Sequence, residues 1–237
     1  MRLKSKLIVA ALLILILAYG RFAFAAAADD KDRVLRELDV AAKNFHSTSA
    51  DFQFDSITTD PIPDDDVQKG TVYYQRRGKS VQMAAHIDQV NGKPVPKVYV
   101  YSDGVFKLYE KMINQVTTLN KLTQYESYLM LGFGASGKDL EEKWDIKYLG
   151  PDTLTDGKLS VKTEMLELVA KDLAIRKNLP KVTVWMDTVH GVNLKQVFDE
   201  GSGQSRVSVY FNIKVNQTLP ADAFTLKTDS QTQFVTR

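Results

Sequence analysis

Val81-Gln82-Met83-Ala84-Ala85-His86-Ile87-Asp88 sets Val81, Met83, Ala85 and Ile87 on one side and Gln82, Ala84, His86 and Asp88 on the other. A period of two is that of a strand, whose successive side chains point to opposite faces. Asn91-Gly92 follows, the favoured pair for a two-residue hairpin turn, and Val98-Tyr99-Val100-Tyr101 comes next. The stretch therefore predicts an antiparallel hairpin. On its N-terminal side Val72, Tyr74 and Arg76 share a face, as do Phe52 and Phe54 beyond a polar connector through Asp60-Pro61 and Asp64-Asp65-Asp66. On its C-terminal side Asp103-Gly104 repeats the turn chemistry, and Phe106 with Leu108, then Val116 with Thr118, extend the meander.

Further out the period changes. Val34, Leu35, Leu38, Ala41, Ala42 and Phe45 recur at three- and four-residue spacings, which predicts one amphipathic helix with Asp29-Asp30 at its start. Leu122 to Leu131 is again apolar at helical spacing, and Gly132 to Gly137 is read as a flexible turn before a second short helix. Ser136 and Asp139 would cap that helix, with Leu140 and Trp144 on its buried side. Strands resume at Ile146 to Leu149, Leu159 to Val169, Val182 to Met186, Asn193 to Asp199 and Arg206 to Phe211. About ten or eleven strands, with no break in composition to mark a linker, predict a single α+β domain.

The N-terminus carries a different message. Basic Met1 to Lys6 precedes the apolar run Leu7 to Ala18, too short to span a bilayer, and Ala23-Phe24-Ala25 has the small-x-small pattern of a cleavage site. The expectation is a signal peptide over residues 1–25, cut after Ala25, and a single domain over 26–237 in the periplasm. Cleavage removes Arg2, Lys4, Lys6 and Arg21, leaving 27 basic against 29 acidic residues, so the formal net charge moves from +2 to −2. No basic excess is left to attract nucleic acid. The sequence has no cysteine, which closes disulfides, thiolate metal sites, cysteine nucleophiles and cysteine-linked lipids.

Motifs that suggest chemistry fail in context. Gly132-Phe133-Gly134-Ala135-Ser136-Gly137 has dinucleotide-fingerprint spacing, but no strand precedes it and no parallel unit surrounds it. With Lys138 it imitates a P-loop, yet Asp139 stands where magnesium needs Ser or Thr. His46, His86 and His190 show no metal-ligand spacing, and Asp64 to Asp66 lacks the spaced ligands of a calcium loop. Glu141-Glu142 reads as an exposed helix face. No Gly-x-Ser-x-Gly elbow and no nucleophile with a base and an orienter can be named, so no enzyme, metal or cofactor is expected.

What stands out is an apolar excess. Val98 to Tyr101 is apolar or aromatic on both faces and Tyr73 backs Tyr74, so the sheet must be covered twice, by helices and a dimer or loop, or around a ligand cavity. Met83, Met130 and Met165 would suit an adaptable lining.

The order of the pieces is similar to that of a known family. A leader and a helix ending in Phe45-His46 come first, then a strand at Phe52 to Ser56 and Gly70-Thr71-Val72-Tyr73-Tyr74-Gln75-Arg76. Ser102-Asp103-Gly104, Leu108-Tyr109, Lys181 to Asp187, Asn193-Leu194-Lys195-Gln196, Asn212-Ile213-Lys214, Leu219-Pro220 and Phe224 follow in order. The set resembles the periplasmic outer-membrane lipoprotein carriers, the LolA-like family, over nearly all of residues 30–227. The resemblance implies an unclosed antiparallel β-barrel, or half-barrel, covered on its concave face by helices around a cavity for lipoprotein acyl chains. Leu122 to Trp144 would form part of the lid. It also implies acylated lipoproteins as partners, loading by an inner-membrane lipoprotein-releasing transporter and delivery to an outer-membrane acceptor, without enzymatic activity and as a monomer. In the family an arginine on the second strand latches the lid, and Arg76 holds that position. The family's next residue is proline and an aromatic used in transfer follows; here Arg77 and then Ser80 or Val81 stand there. Alternation alone proposes Val72, Tyr74, Val81, Met83, Val100 and Leu108 as cavity lining.

Two other readings are set beside this one: a same-fold module for another lipid, glycolipid or regulatory peptide, and a two-domain envelope-stress sensor, for which 212 residues after cleavage leave little room.

Overall fold

The alternating stretches fold as strands because each carries apolar side chains on one face that can only be buried by pairing into a sheet. The structure, a computed structural model, describes residues 29–59, 64–78, 80–120, 131–201 and 203–237. Residues 29–44 form helix α1. There follow β1 (Ser47–Thr58), β2 (Asp64–Arg77), β3 (Ser80–Val90), β4 (Lys93–Ser102), β5 (Val105–Glu110), a 3-10 turn at Lys111–Ile113 and β6 (Gln115–Leu119). Then come α2 (Gly137–Lys143), β7 (Trp144–Asp156), β8 (Leu159–Ala170), α3 (Leu173–Asn178), β9 (Lys181–Asp187), β10 (Val192–Gly201), β11 (Gln204–Val215) and β12 (Gln233–Thr236). The predicted leader and most of the Leu122 to Leu131 helix lie outside the described residues.

All strands join one 12-stranded sheet in the order β12-β6-β5-β4-β3-β2-β1-β11-β10-β9-β8-β7. Every pairing is antiparallel save that of β12 with β6, and the outermost strands β12 and β7 are not paired with each other. The fold is thus the expected unclosed half-barrel. Both hairpin turns form as predicted, with Asn91 at φ 51° and Asp103 at φ 52°. Asp64 to Asp66, expected in a connector, instead open β2, where they pair with Thr58, Ile57 and Ser56. The sheet's backbone ladder, not their charge, decides their conformation.

The concave face has two halves. Over β8 and β9, α1 lays down Val34, Leu35 and Leu38, which meet Leu166, Leu168, Val182, Val184 and Met186 in one buried cluster. Helix α2 joins this cluster through Leu140, and Trp144 completes it. Its capping box forms as the sequence predicts, the Asp139 amide donating to Ser136 Oγ and the Ser136 amide to the Asp139 carboxylate. Each large apolar side chain buried here contributes roughly 1.5–3 kcal/mol relative to exposure. Over β1 to β5 and β11 a second cluster gathers Phe45, Phe52, Val72, Tyr74, Met83, Ile87, Tyr101, Phe133 and Tyr210. That half is where the cavity lies.

The convex face of β2 to β6 is covered as well. Residues 217–228 cross it, held where His86 Nε2 meets the Ala223 carbonyl at 2.8 Å and where Ser47 Oγ donates to the Gln217 carbonyl at 2.9 Å. This coverage accounts for strands apolar on both faces.

Leu168 is fully buried beneath α1, so Leu168→Ala is expected to cost about 2–5 kcal/mol in urea unfolding. Leu159→Ala, on the exposed β7–β8 turn, is expected to stay within about 0.5 kcal/mol. Equal losses at the two sites would contradict the packing described.

Candidate functional site

The cavity is set by side chains that alternate along strands β1 to β5, β10 and β11. Phe52 and Phe54 come from β1, Val72 and Tyr74 from β2, Met83, Ala85 and Ile87 from β3, and Tyr99 and Phe106 from β4 and β5. Together with β10 and β11 they line an open cavity of about 490 Å³. One end is polar: Ser56 pairs with Asp66 on one side and Arg206 on the other, and all three line the cavity with Gln68. The other end, four to eight residues further along β2 and β11, is closed by Tyr74 and Tyr210.

Behind those two rings stands Phe133, fully buried. It stacks on Tyr74 with ring centroids 4.0 Å apart and planes 8° from parallel, and meets Tyr210 edge-on at 4.9 Å and 82°. The loop carrying it is fastened on both sides. Gln196 Nε2 and Asn193 Nδ2 donate to the Leu131 carbonyl at 2.6 and 3.2 Å, the Asn193 amide donates to the Gly132 carbonyl, and the Gly134 amide to the Gly191 carbonyl. Tyr210 Oη donates to Gln196 Oε1 at 3.0 Å, so a wall ring and the loop share one buried amide.

The glycines flanking Phe133 are needed. Gly132 has φ +82° and a Cβ there would fall 1.7 Å from Asn193 Nδ2; Gly134 has φ +77° and a Cβ would fall 2.3 Å from the Phe45 ring. The Gly132 to Gly137 segment is therefore a tightly packed loop, which corrects the expectation of a flexible turn. Its glycines serve close approach, not a nucleotide phosphate.

Arg76 lies on the cavity face of β2 beyond Tyr74. Its Nε donates to the Phe45 carbonyl at 3.2 Å and its Nη2 to the Gly134 carbonyl at 2.7 Å, and its guanidinium sits 5.8 Å from the Phe45 ring centroid. It ties the strand to the end of α1 and to the Phe133 loop. Helix α2, part of the expected lid, packs beside α1 on the filled half, while residues 121–130 lie outside the described residues.

The six lining candidates divide. Val72, Tyr74 and Met83 line the cavity. Val81, opposite Arg76, is buried in the same cluster beyond its inner end, and Leu108 shares the face opposite Tyr99 without reaching the wall. Val100 is corrected: it pairs with Ala84 and Lys107 and points to the convex face. There it lines a separate cavity of about 620 Å³ with Val116, Phe224, Leu226 and Phe234. A strand apolar on both faces gives alternation no phase. Phe52, Phe54, Tyr99, Phe106 and Tyr210 line the concave cavity in addition to the six candidates, Phe52 and Phe54 on the shared face that their spacing gives.

Among the described residues no group of three or more His, Asp or Glu could hold a metal, and no helix is long and apolar enough to cross a membrane.

No protein-family model matches the chain, and no curated protein matches it in sequence. Solved structures do match. An uncharacterized conserved protein from Thermus thermophilus is similar over 87% of this chain and 98% of its own, at 11% identity and a TM-score of 0.54. MucB is similar over 89% of this chain and 66% of its own, at 12% identity and a TM-score of 0.52. The LolA superfamily protein NE2245 from Nitrosomonas europaea is similar over 82% and 97%, at 14% identity and a TM-score of 0.40. The first two share this chain's fold. At these identities the likeness is one of architecture.

Burial pushes the Tyr210 hydroxyl up to about 12 and moves Tyr74 the same way. A tyrosine that stays neutral in the fold contributes fully below about pH 10, and the contribution is lost as the pH climbs through the folded value. For Tyr210 this amounts to about 3 kcal/mol. The urea midpoint should therefore fall between about pH 10 and 12, and Tyr210→Phe should flatten that fall; an unchanged slope would contradict the buried ring wall.

Proposed function

We propose that the protein is an exported, non-enzymatic carrier that takes lipoprotein acyl chains into the concave cavity and ferries them through the periplasm towards the outer membrane. The observation that carries this reading is the cavity of about 490 Å³ itself, walled mostly by apolar and aromatic side chains with its charged residues at one end. Its volume falls within the roughly 300–1,000 Å³ of small-ligand sites, and its polarity matches an amphiphile inserted tail first. The leader read from the sequence supports export.

The physics supports binding without catalysis. Each methylene leaving water contributes about 0.8 kcal/mol, so retention is easily achieved and release is the harder task. A closed empty state held by specific bonds lowers net affinity, because loading must break them. Arg76 suits that role. Its charge-assisted bonds to the Phe45 and Gly134 carbonyls would each contribute roughly 1.5–3 kcal/mol to the closed state. An inner-membrane lipoprotein-releasing transporter would load the carrier and an outer-membrane acceptor would unload it, with the carrier a monomer.

Native mass spectrometry of the protein exported by its own host should find acylated polypeptide bound one to one. A free lipid or glycolipid adduct would move the function to a binding or sensing module of the same fold, and no adduct would contradict the carrier reading. Arg76→Leu should keep cargo bound and slow its transfer to acceptor membranes; transfer at the wild-type rate would rule out the latch.

A further inference from the structure

We propose that Tyr74 and Tyr210, braced from behind by Phe133, are the end wall that sets how much acyl chain the concave cavity takes: one chain, with its head at the Ser56–Arg206 rim and its methyl end against the two tyrosine rings. The proposal rests on the acyl-chain reading and adds the number, direction and length limit of the chains.

The direction follows from the strand ladders. Along β2 the cavity-facing residues run Asp66, Gln68, Val72, Tyr74, and along β11 they run Arg206, Ser208, Tyr210, so the charged side chains stand at the rim and the rings at the inner end, where the polar side chain of Gln196, on β10, is bonded to Tyr210 Oη. The rim carries charges of both signs. Arg206 Nη2 lies 2.9 Å from Glu200 Oε1, which neutralises it, and the Asp66 carboxylate accepts from the neutral Asn91 Nδ2 at 2.8 Å and keeps its charge, so the rim offers a polar head both a guanidinium and carboxylates.

The length limit follows from how Phe133 is held. Its ring is stacked on one wall tyrosine and abuts the other, and the four residues Leu131 to Gly134 receive or make five hydrogen bonds, to Asn193, Gln196, Gly191 and Arg76. A ring so placed is a fixed stop. Beyond it the buried cluster continues to Phe45 and Val192, so truncating Phe133 removes the support that holds the two tyrosine rings and gives them space to swing back from the inner end of the cavity. The cavity, open at one side, has the volume of a single drug-sized guest.

The test is a series of saturated fatty acids from octanoate to eicosanoate, titrated against the mature protein by calorimetry. Affinity should rise about fourfold per methylene, then level off at the chain that reaches Tyr74 and Tyr210, with a stoichiometry of one. Phe133→Ala should move the levelling point to longer chains, and Phe133→Leu, which keeps most of the packing and guards against a variant that does not fold, should move it less. The same levelling point in wild type and both folded variants, or two chains per wild-type molecule, would overturn the end wall. Failure of the folded wild type to bind any of the series would instead overturn the acyl-chain reading beneath it.

Discussion

The stacking of Phe133 on Tyr74, with Tyr210 set edge-on against it, divides the concave face of the half-barrel into a filled half and a hollow one. An unclosed sheet curves its apolar side inward and must cover it. Helix α1 covers one half with Val34, Leu35 and Leu38. The other half ends at the aromatic wall. Without that wall the cavity would run on towards Phe45, and Arg76 would have no Gly134 carbonyl in reach.

A hollow of this size is costly. Cores normally pack to the density of organic crystals, and lining atoms with no neighbours across a void forgo dispersion contacts. The fold offsets part of this by concentrating hydrogen bonds at the inner end, where Asn193 and Gln196 share the Leu131 carbonyl and Arg76 reaches that of Gly134. The result is a rigid inner end and a polar rim. That asymmetry distinguishes a binding site from a packing defect.

Much of this was legible in the sequence, for physical reasons that also mark where legibility stopped. Val81 to Ile87 alternates cleanly because one face is apolar and the other polar, and β3 forms with that phase. Val98 to Tyr101 is apolar on both faces because residues 217–228 cover the convex side, so Val100 was assigned to the wrong face while Tyr99 was overlooked. The capping box at Ser136 and Asp139 is a local device and was read correctly. Phe133 was missed because a lone aromatic between glycines resembles a turn, and its partners Tyr74, Tyr210 and Gln196 come from distant strands. The signal that could have found it was the glycine on each side, which permits the close backbone approach that seats the ring.

The central claim is that the hollow half, and not the filled one, receives an apolar chain. Methionine methyl NMR separates the two directly, since Met83 lines the cavity and Met186 is buried under α1. On titration with palmitate the account predicts that the Met83 methyl resonance shifts to saturation while Met186 stays in place. A saturating shift at Met186 with Met83 unmoved would contradict it.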